Sequence, residues 1–275
     1  MKNLLVPTDF SEASRNAFLY AVKLAELLRP EAIEVVHVYL PETSGEADFI
    51  PPVVELMESR QEMLRQFVSE LAEESAPLPC PVKHEVLVGF PADELTQVSA
   101  HYSFIVMGAK EERGILEKVL GSVSSSVSQR AHCPVFLIPR GAAYKPYRNI
   151  IYASNFDSAN KAVLEKLVRF NQNFNAHLHF VHIRQEQDSP LDGALESIFG
   201  ELFEDGEPGF AFDVVELDAD SVADGLNNYA EKIGSGLIVM ATRHRSFWQS
   251  ILHRSETKRM AFAANTPLMV LHLKG

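Results

Sequence analysis

The chain has 275 residues, enough for two ordinary domains, and its 46% hydrophobic and 23% charged residues give a normal globular balance that can bury a core. The net charge is −12, with 12 Lys+Arg against 20 Asp+Glu in residues 1–140 and 13 against 17 in the remainder. Neither half is basic and no Lys/Arg run occurs, which argues against sequence-independent binding to nucleic acid or to anionic membranes.

The two cysteines, Cys80 and Cys133, offer neither a disulfide framework nor zinc spacing. The opening Met1-Lys2-Asn3-Leu4-Leu5-Val6-Pro7 reaches a proline and then Asp9 too soon for a signal h-region. No apolar run approaches the length of a membrane span. A reducing cytoplasm is the expected compartment, with no membrane partner.

In chain order, short apolar runs predict strands at 4–6, 33–38, 82–88, 104–107 and 135–138. Continuous rather than alternating apolar character implies burial on both faces, hence a parallel sheet with helices on either side. Between the first two strands, Ala13, Ala17, Phe18, Ala21, Leu24, Ala25 and Leu28 form a helical stripe. Residues 51–75 form a second amphipathic helix, opened by Pro51-Pro52. The same order then repeats. Asn3 to Phe10 matches Asn149 to Phe156, Val36-His37-Val38 matches Val181-His182-Ile183, Ile105 to Gly108 matches Ile238 to Ala241, and Pro134 to Leu137 matches Pro267 to Val270. The offset falls from 145 at His37 to 133 at Ile105, so the second copy is shorter in its middle. The expected fold is two tandem doubly wound, Rossmann-like α/β domains, 1–140 and 147–275, joined by a linker at 141–146. In such sheets ligands bind beyond the carboxyl ends of the strands, at the topological switch point.

The strongest chemical signal follows the fourth strand. Gly108-Ala109-Lys110-Glu111 begins a loop that ends in Gly121-Ser122 and a helix. Gly121 admits a close backbone approach, the first N–H groups of the helix can face an anion, and the Ser122 hydroxyl can donate to a phosphate. The same residues also fit a purely structural role, with glycines shaping a loop and Ser122 capping the helix. Asp9-Phe10-Ser11-Glu12 likewise fits a capping box, with Asp9 as cap and Glu12 reaching back; the second copy has Asn155 there.

With these motifs the chain resembles the universal stress protein family over nearly all of both halves. Val6-Pro7-Thr8-Asp9-Phe10-Ser11 is similar to that family's opening strand and turn, His37-Val38 to the end of its second strand, and Cys133-Pro134-Val135 to its closing strand. The family's nucleotide-binding members carry Gly, two residues, Gly, nine residues, Gly-Ser/Thr; here Gly108, Gly121 and Ser122 match and Glu111 stands where the second glycine belongs. The resemblance implies a cofactor-binding set of Pro7, Thr8, Asp9, Val38, Met107, Gly108, Gly121, Ser122 and Val123. Asp9 would hold the ribose, Val38 the adenine, and Gly108, Gly121 and Ser122 the phosphates. It also implies that the closing strands mediate pairing, self-association or a protein contact. A carboxylate at Glu111 about 5 Å from a phosphate charge would cost roughly 3 kcal/mol at an effective dielectric near 20. Lys110 and Arg113 flank it and would offset part of this.

The second copy replaces every marker: Ala241 for Gly108, His244 at the Glu111 position, Arg254 for Gly121. Its loop is basic, with Arg243, Arg245, Arg254, Lys258 and Arg259 as an anion-binding or salt-bridging face. ATP or AMP is therefore expected in domain one and no cofactor in the degenerate domain two. His177 and His179 share a strand face, but the spacing supplies no third ligand, so no metal is expected. Cys133 reads as an inert buried thiol. No Gly-x-Ser-x-Gly elbow, Walker A lysine loop or His-Glu-x-x-His helix occurs, and no general base is evident. The expected function is a stress-response protein using the nucleotide as a regulatory ligand rather than an enzyme's substrate; slow ATP hydrolysis is a third reading. The alternative is an interaction module with both sites decayed.

Overall fold

The computed structural model describes residues 2–41, 53–109, 121–153, 161–184, 209–242 and 266–272. The chain divides into two compact units, the second beginning at Ala142.

In the first unit the elements are β1 (Leu4–Pro7), α1 (Glu12–Leu28), β2 (Ile33–Tyr39), α2 (Val53–Glu74), β3 (Val82–Val88), α3 (Pro91–Val98), β4 (Phe104–Ala109), α4 (Ser122–Arg130) and β5 (Val135–Pro139). The strands lie in the order β3-β2-β1-β4-β5, all parallel. In the second unit they are β6 (Asn149–Ala153), α5 (Lys161–Asn171), β7 (His177–Arg184), β8 (Phe212–Asp218), α6 (Val222–Ile233), β9 (Leu237–Thr242) and β10 (Leu268–His272). Their order is β8-β7-β6-β9-β10, again parallel, so the two units share one doubly wound topology. In each, the chain leaves the first strand in one direction and returns on its other side, which creates the switch point between β1 and β4 and between β6 and β9.

Burial explains the pattern. Leu4, Leu5, Val6, Ile105 and Val106 are completely buried, as central strands covered by helices require. Each such side chain is worth about 1.5–3 kcal/mol relative to an exposed position. The predicted stripe of α1 is buried at every one of its positions. The helix ends at Arg29, which takes the left-handed conformation and donates its N–H to the Ala25 carbonyl. The strand at 82–88 departs from the expected two-sided burial. β3 is an outer strand of its unit, Lys83, His84 and Glu85 are exposed, and within it only Val86 is buried. A strand with one neighbour is shielded on fewer sides, so polar residues are tolerated there. α2 is described from Val53, and the expected Pro51-Pro52 opening lies outside the described residues. Around the expected linker, the Tyr144 and Tyr147 rings lie 5.6 Å apart in a tilted contact, and Tyr147 packs against Phe170 and Phe174 of the second unit.

Candidate nucleotide site

The carboxyl ends of β1 and β4 bring together the two segments that carried the sequence signal. β1 pairs with β4 at Leu4↔Phe104 and Leu5↔Ile105, so both strands run out toward the same end of the sheet, β1 into Thr8-Asp9 and β4 into Gly108-Ala109. On the other side of β1, Pro7 lies opposite Val36, and Thr8 N–H donates to the Val36 carbonyl at 2.8 Å. Val38, two residues further along β2, is buried and registered with Leu87 of β3.

The turn after β1 is built differently from the expected capping box. Ser11, not Asp9, caps α1: its hydroxyl accepts the Ser14 N–H at 3.3 Å. Asp9 stands outside the helix and braces the cap, its Oδ1 accepting from the Ser11 N–H at 3.2 Å and from the Ser11 hydroxyl at 2.5 Å. The reason is conformational. Phe10 has φ 63°, a left-handed turn, and Asp9 stands two residues before the actual cap, too far out for a capping box. Such a backbone costs a non-glycine residue about 1–2 kcal/mol. The Phe10 N–H donates to Thr8 Oγ1 at 3.0 Å, and its ring sits 4.5 Å from His37 and edge-on to Phe67 at 5.5 Å. The strained turn leaves the Asp9 side chain exposed at the mouth of the crevice.

His37 props this turn from below. Its Nδ1 lies 2.9 Å from the Thr8 carbonyl oxygen, which can only accept, so Nδ1 carries the proton. Burial pushes its pKa below the ordinary value despite that hydrogen bond, with Arg60 lowering it further and Asp9 opposing. The neutral ring leaves Nε2 buried without a hydrogen-bond partner among the described residues. His182 is buried at the equivalent position in β7. His37 thus holds the turn after β1 in place.

At the other lip, Gly121 is the residue that precedes α4, in an extended conformation with φ −57° and ψ 152°. It offers no side-chain cap, so among the described residues the first N–H groups of Ser122, Val123 and Ser124 have no capping side chain. Ser122, expected as a possible cap, is instead the first helical residue and is exposed. The Ser124 hydroxyl turns back to the Gly108 carbonyl at 3.1 Å, tying the start of α4 to the end of β4. Gly108 itself has a packing reason: a Cβ there would sit 2.6 Å from the carbonyl carbon and oxygen of Ala13. It thus seats the first turn of α1 against β4. Met107, just before it, is buried in the core. Lys110, Glu111 and Arg113, and in the second unit Arg243, His244, Arg245, Arg254, Lys258, Arg259 and Asn155, lie outside the described residues. Ala241, the counterpart of Gly108, lies in β9 paired with Leu271.

Away from these strand ends, an open cleft of about 700 Å3 lies between α2 and β3, lined by Met57, Glu58, Glu62, Arg65, His84 and Glu85 among others. It contains none of the nine expected site residues. Its basic group is already engaged, since Arg65 donates twice to Glu62 at 2.7 and 2.6 Å and holds that exposed carboxyl down at about 2. Cys133 is buried and its thiol is pushed up to about 12, which keeps it protonated and unreactive at neutral pH. Sequence reasoning missed the strained Phe10 and the separation of Asp9 from the cap. A β1–α1 turn with two overlapping cap candidates, Asp9 and Ser11, was the available signal.

Fold and site together define a tandem of doubly wound α/β units whose first copy presents an uncapped helix N-terminus and an exposed aspartate at the switch point. The profile of the universal stress protein family matches residues 1–139 and again 146–272. The chain is 33% identical over 147 residues to universal stress protein MJ0531 of Methanocaldococcus jannaschii, covering 50% of this chain and 82% of that protein. It is 26% identical over 155 residues to universal stress protein MJ0577 of the same organism, covering 50% of this chain and 95% of that one. A crystal structure of a universal stress protein from Archaeoglobus fulgidus superposes with a TM-score of 0.75 over 98% of both chains at 20% identity, a likeness of fold. The chain therefore belongs to the universal stress protein family, as a two-copy member.

Proposed function

We propose that the chain is a cytoplasmic stress-response protein that binds an adenine nucleotide, ATP or AMP, in its first unit as a regulatory ligand. The observation that carries this reading is the uncapped start of α4 beside the end of β4, with exposed Asp9 at the end of the adjoining β1. The residues present fit the group. Phosphate oxygens accept from the N–H groups of Ser122 and Val123 and from the Ser122 hydroxyl, aided by the positive end of the helix. Asp9, already oriented by Ser11, accepts from ribose hydroxyls. Val38 flanks the base at the end of β2. None of these groups is a general base poised at a terminal phosphate, which supports binding rather than turnover. No helix of the described residues is long and apolar enough to cross a membrane. The second unit, with Ala241, His244 and Arg254 at the marker positions, binds no nucleotide in this reading.

The test is mass spectrometry of nucleotide released from the purified, gently denatured protein. Stoichiometric ATP, ADP or AMP supports the proposal. A protein that carries none, and takes up none when incubated with millimolar ATP or AMP, is the interaction module with both sites decayed.

A further inference from the structure

Two histidines that the sequence left without a third ligand acquire one from the neighbouring strand. His177 and His179 lie on the same face of β7, two residues apart, with ring centroids 4.7 Å apart. The sheet registers His179 with Asp213 of β8, and one donor atom from each of the three residues lies within 4.8 Å of the others. Asp213 Oδ2 is 3.0 Å from His177 Nε2 and 3.7 Å from His179 Nδ1. We propose that His177, His179 and Asp213 form a divalent transition-metal site, of the kind zinc occupies, at the amino-terminal end of the second unit's sheet.

Hydrogen bonds around the cluster fix the tautomer of His179. The Asn149 Nδ2 donates to the Ile233 carbonyl at 2.7 Å, which fixes the amide so that its Oδ1 faces His179 Nε2 at 3.2 Å. An amide oxygen only accepts, so Nε2 carries the proton and Nδ1 is the acceptor, taking the Tyr229 O–H at 3.1 Å with Asp213 Oδ2 3.7 Å away; a metal ion would displace that hydroxyl. A metal-binding histidine characteristically donates its other ring N–H to an oxygen in this way, which orients the ring and strengthens the ligand. His177 Nε2 is a buried atom that makes no hydrogen bond among the described residues despite its 3.0 Å approach to the carboxylate. A cation between nitrogen and oxygen satisfies both.

Two imidazoles and one carboxylate match the preferences of zinc, which takes such ligands at about 2.0–2.2 Å. The Tyr229 hydroxyl of α6, 3.1 Å from His179 Nδ1, stands beside the remaining position, which a water would fill. β6, β7, β8 and α6 all contribute, so the site sits on rigid elements of one unit. It lies at the opposite end of the sheet from the carboxyl-terminal strand ends, and is independent of the nucleotide reading.

The experiment uses the full chain, stripped with a chelator and titrated with Zn2+ against a chromophoric competitor, with Co2+ as a visible-absorption probe of ligand geometry. Wild type should take up one Zn2+ per chain, and Co2+ should give the intense bands of a low-coordinate nitrogen and oxygen site. His179→Gln should weaken uptake by about 100-fold, and Asn149→Ala by about 10-fold or more through loss of orientation. Asp213→Asn, at an exposed position that leaves the fold intact, should also abolish tight uptake. No stoichiometric uptake by wild type overturns the proposal. So does uptake that survives both Asp213→Asn and His177→Gln, which would place the ion on other histidines.

Discussion

Replacing Gly108 by alanine separates the two roles this glycine can play. The added Cβ would lie 2.6 Å from the carbonyl carbon and oxygen of Ala13 and 2.9 Å from its Cβ. Ordinary contact begins near 3.4 Å, so α1 and β4 must part by about 0.8 Å. The obstructing atoms are backbone in the first turn of a helix whose inner face is fully buried, so they cannot swing aside as a long side chain would. Overpacking of this kind costs about 1–3 kcal/mol. For a unit of this size that corresponds to a fall in melting temperature of about 3–12 °C. The same displacement carries Ser11 and Asp9 away from α4, and ATP affinity should fall about tenfold, or ~1.4 kcal/mol. Melting by circular dichroism and calorimetric titration with ATP measure the two effects on one variant. Unchanged stability would refute the packing argument. Full stability with lost affinity would reassign Gly108 from seating the helix to touching the phosphates.

Ser11→Ala should cost about 1 kcal/mol through loss of the α1 cap, whereas Asp9→Asn should weaken nucleotide binding with little change in melting temperature; denaturant unfolding and titration distinguish them. His37 and His179 both have pKa values lowered below the ordinary 6.5 by burial. Their neutral forms contribute stability that is complete above about pH 6.5 and is lost as the pH falls through the window below it, because the unfolded chain then binds the protons first. Melting temperature measured from pH 7.5 to 5 should decline, and the double variant His37→Gln, His179→Gln should flatten that slope. Glu111→Gly should strengthen ATP binding by about one to two decades, ~1.4–3 kcal/mol, help AMP less, and show its largest effect at low salt; an unchanged ATP affinity in a protein that binds AMP removes Glu111 as a gatekeeper. Cys133, buried and with its thiol pushed up to about 12, should react with a thiol reagent only on unfolding, later than half-buried Cys80.

Much of the fold was legible because it is written in local patterns. The stripe from Ala13 to Leu28 and the apolar runs at Leu4 and Ile105 have helical and strand periods that burial then enforces. The repeat made the topology of β6–β10 follow from that of β1–β5. What the pattern could not carry depends on three-dimensional neighbours. The cap shifted from Asp9 to Ser11 because a left-handed Phe10 is held by His37 and Phe67, residues distant in sequence. The packing need for Gly108 is set by Ala13 across the β4–α1 interface. Asp213 joins His177 and His179 through strand register, which sequence spacing does not reveal. β3 was misread as doubly buried since edge position in a sheet is a property of topology, not of the strand's own residues.

The central claim is that the bare N-terminus of α4 holds nucleotide phosphates in the first unit. Calorimetric titration of the full chain with ATP and AMP, for wild type and for Gly121→Asp, tests it most directly. An aspartate at that position caps the helix and sets a negative charge against the phosphates. Wild type should bind one nucleotide per chain and Gly121→Asp should stay folded and lose at least tenfold in affinity, ~1.4 kcal/mol. Equal affinity in the two proteins, or no binding by wild type at millimolar nucleotide, would contradict the account.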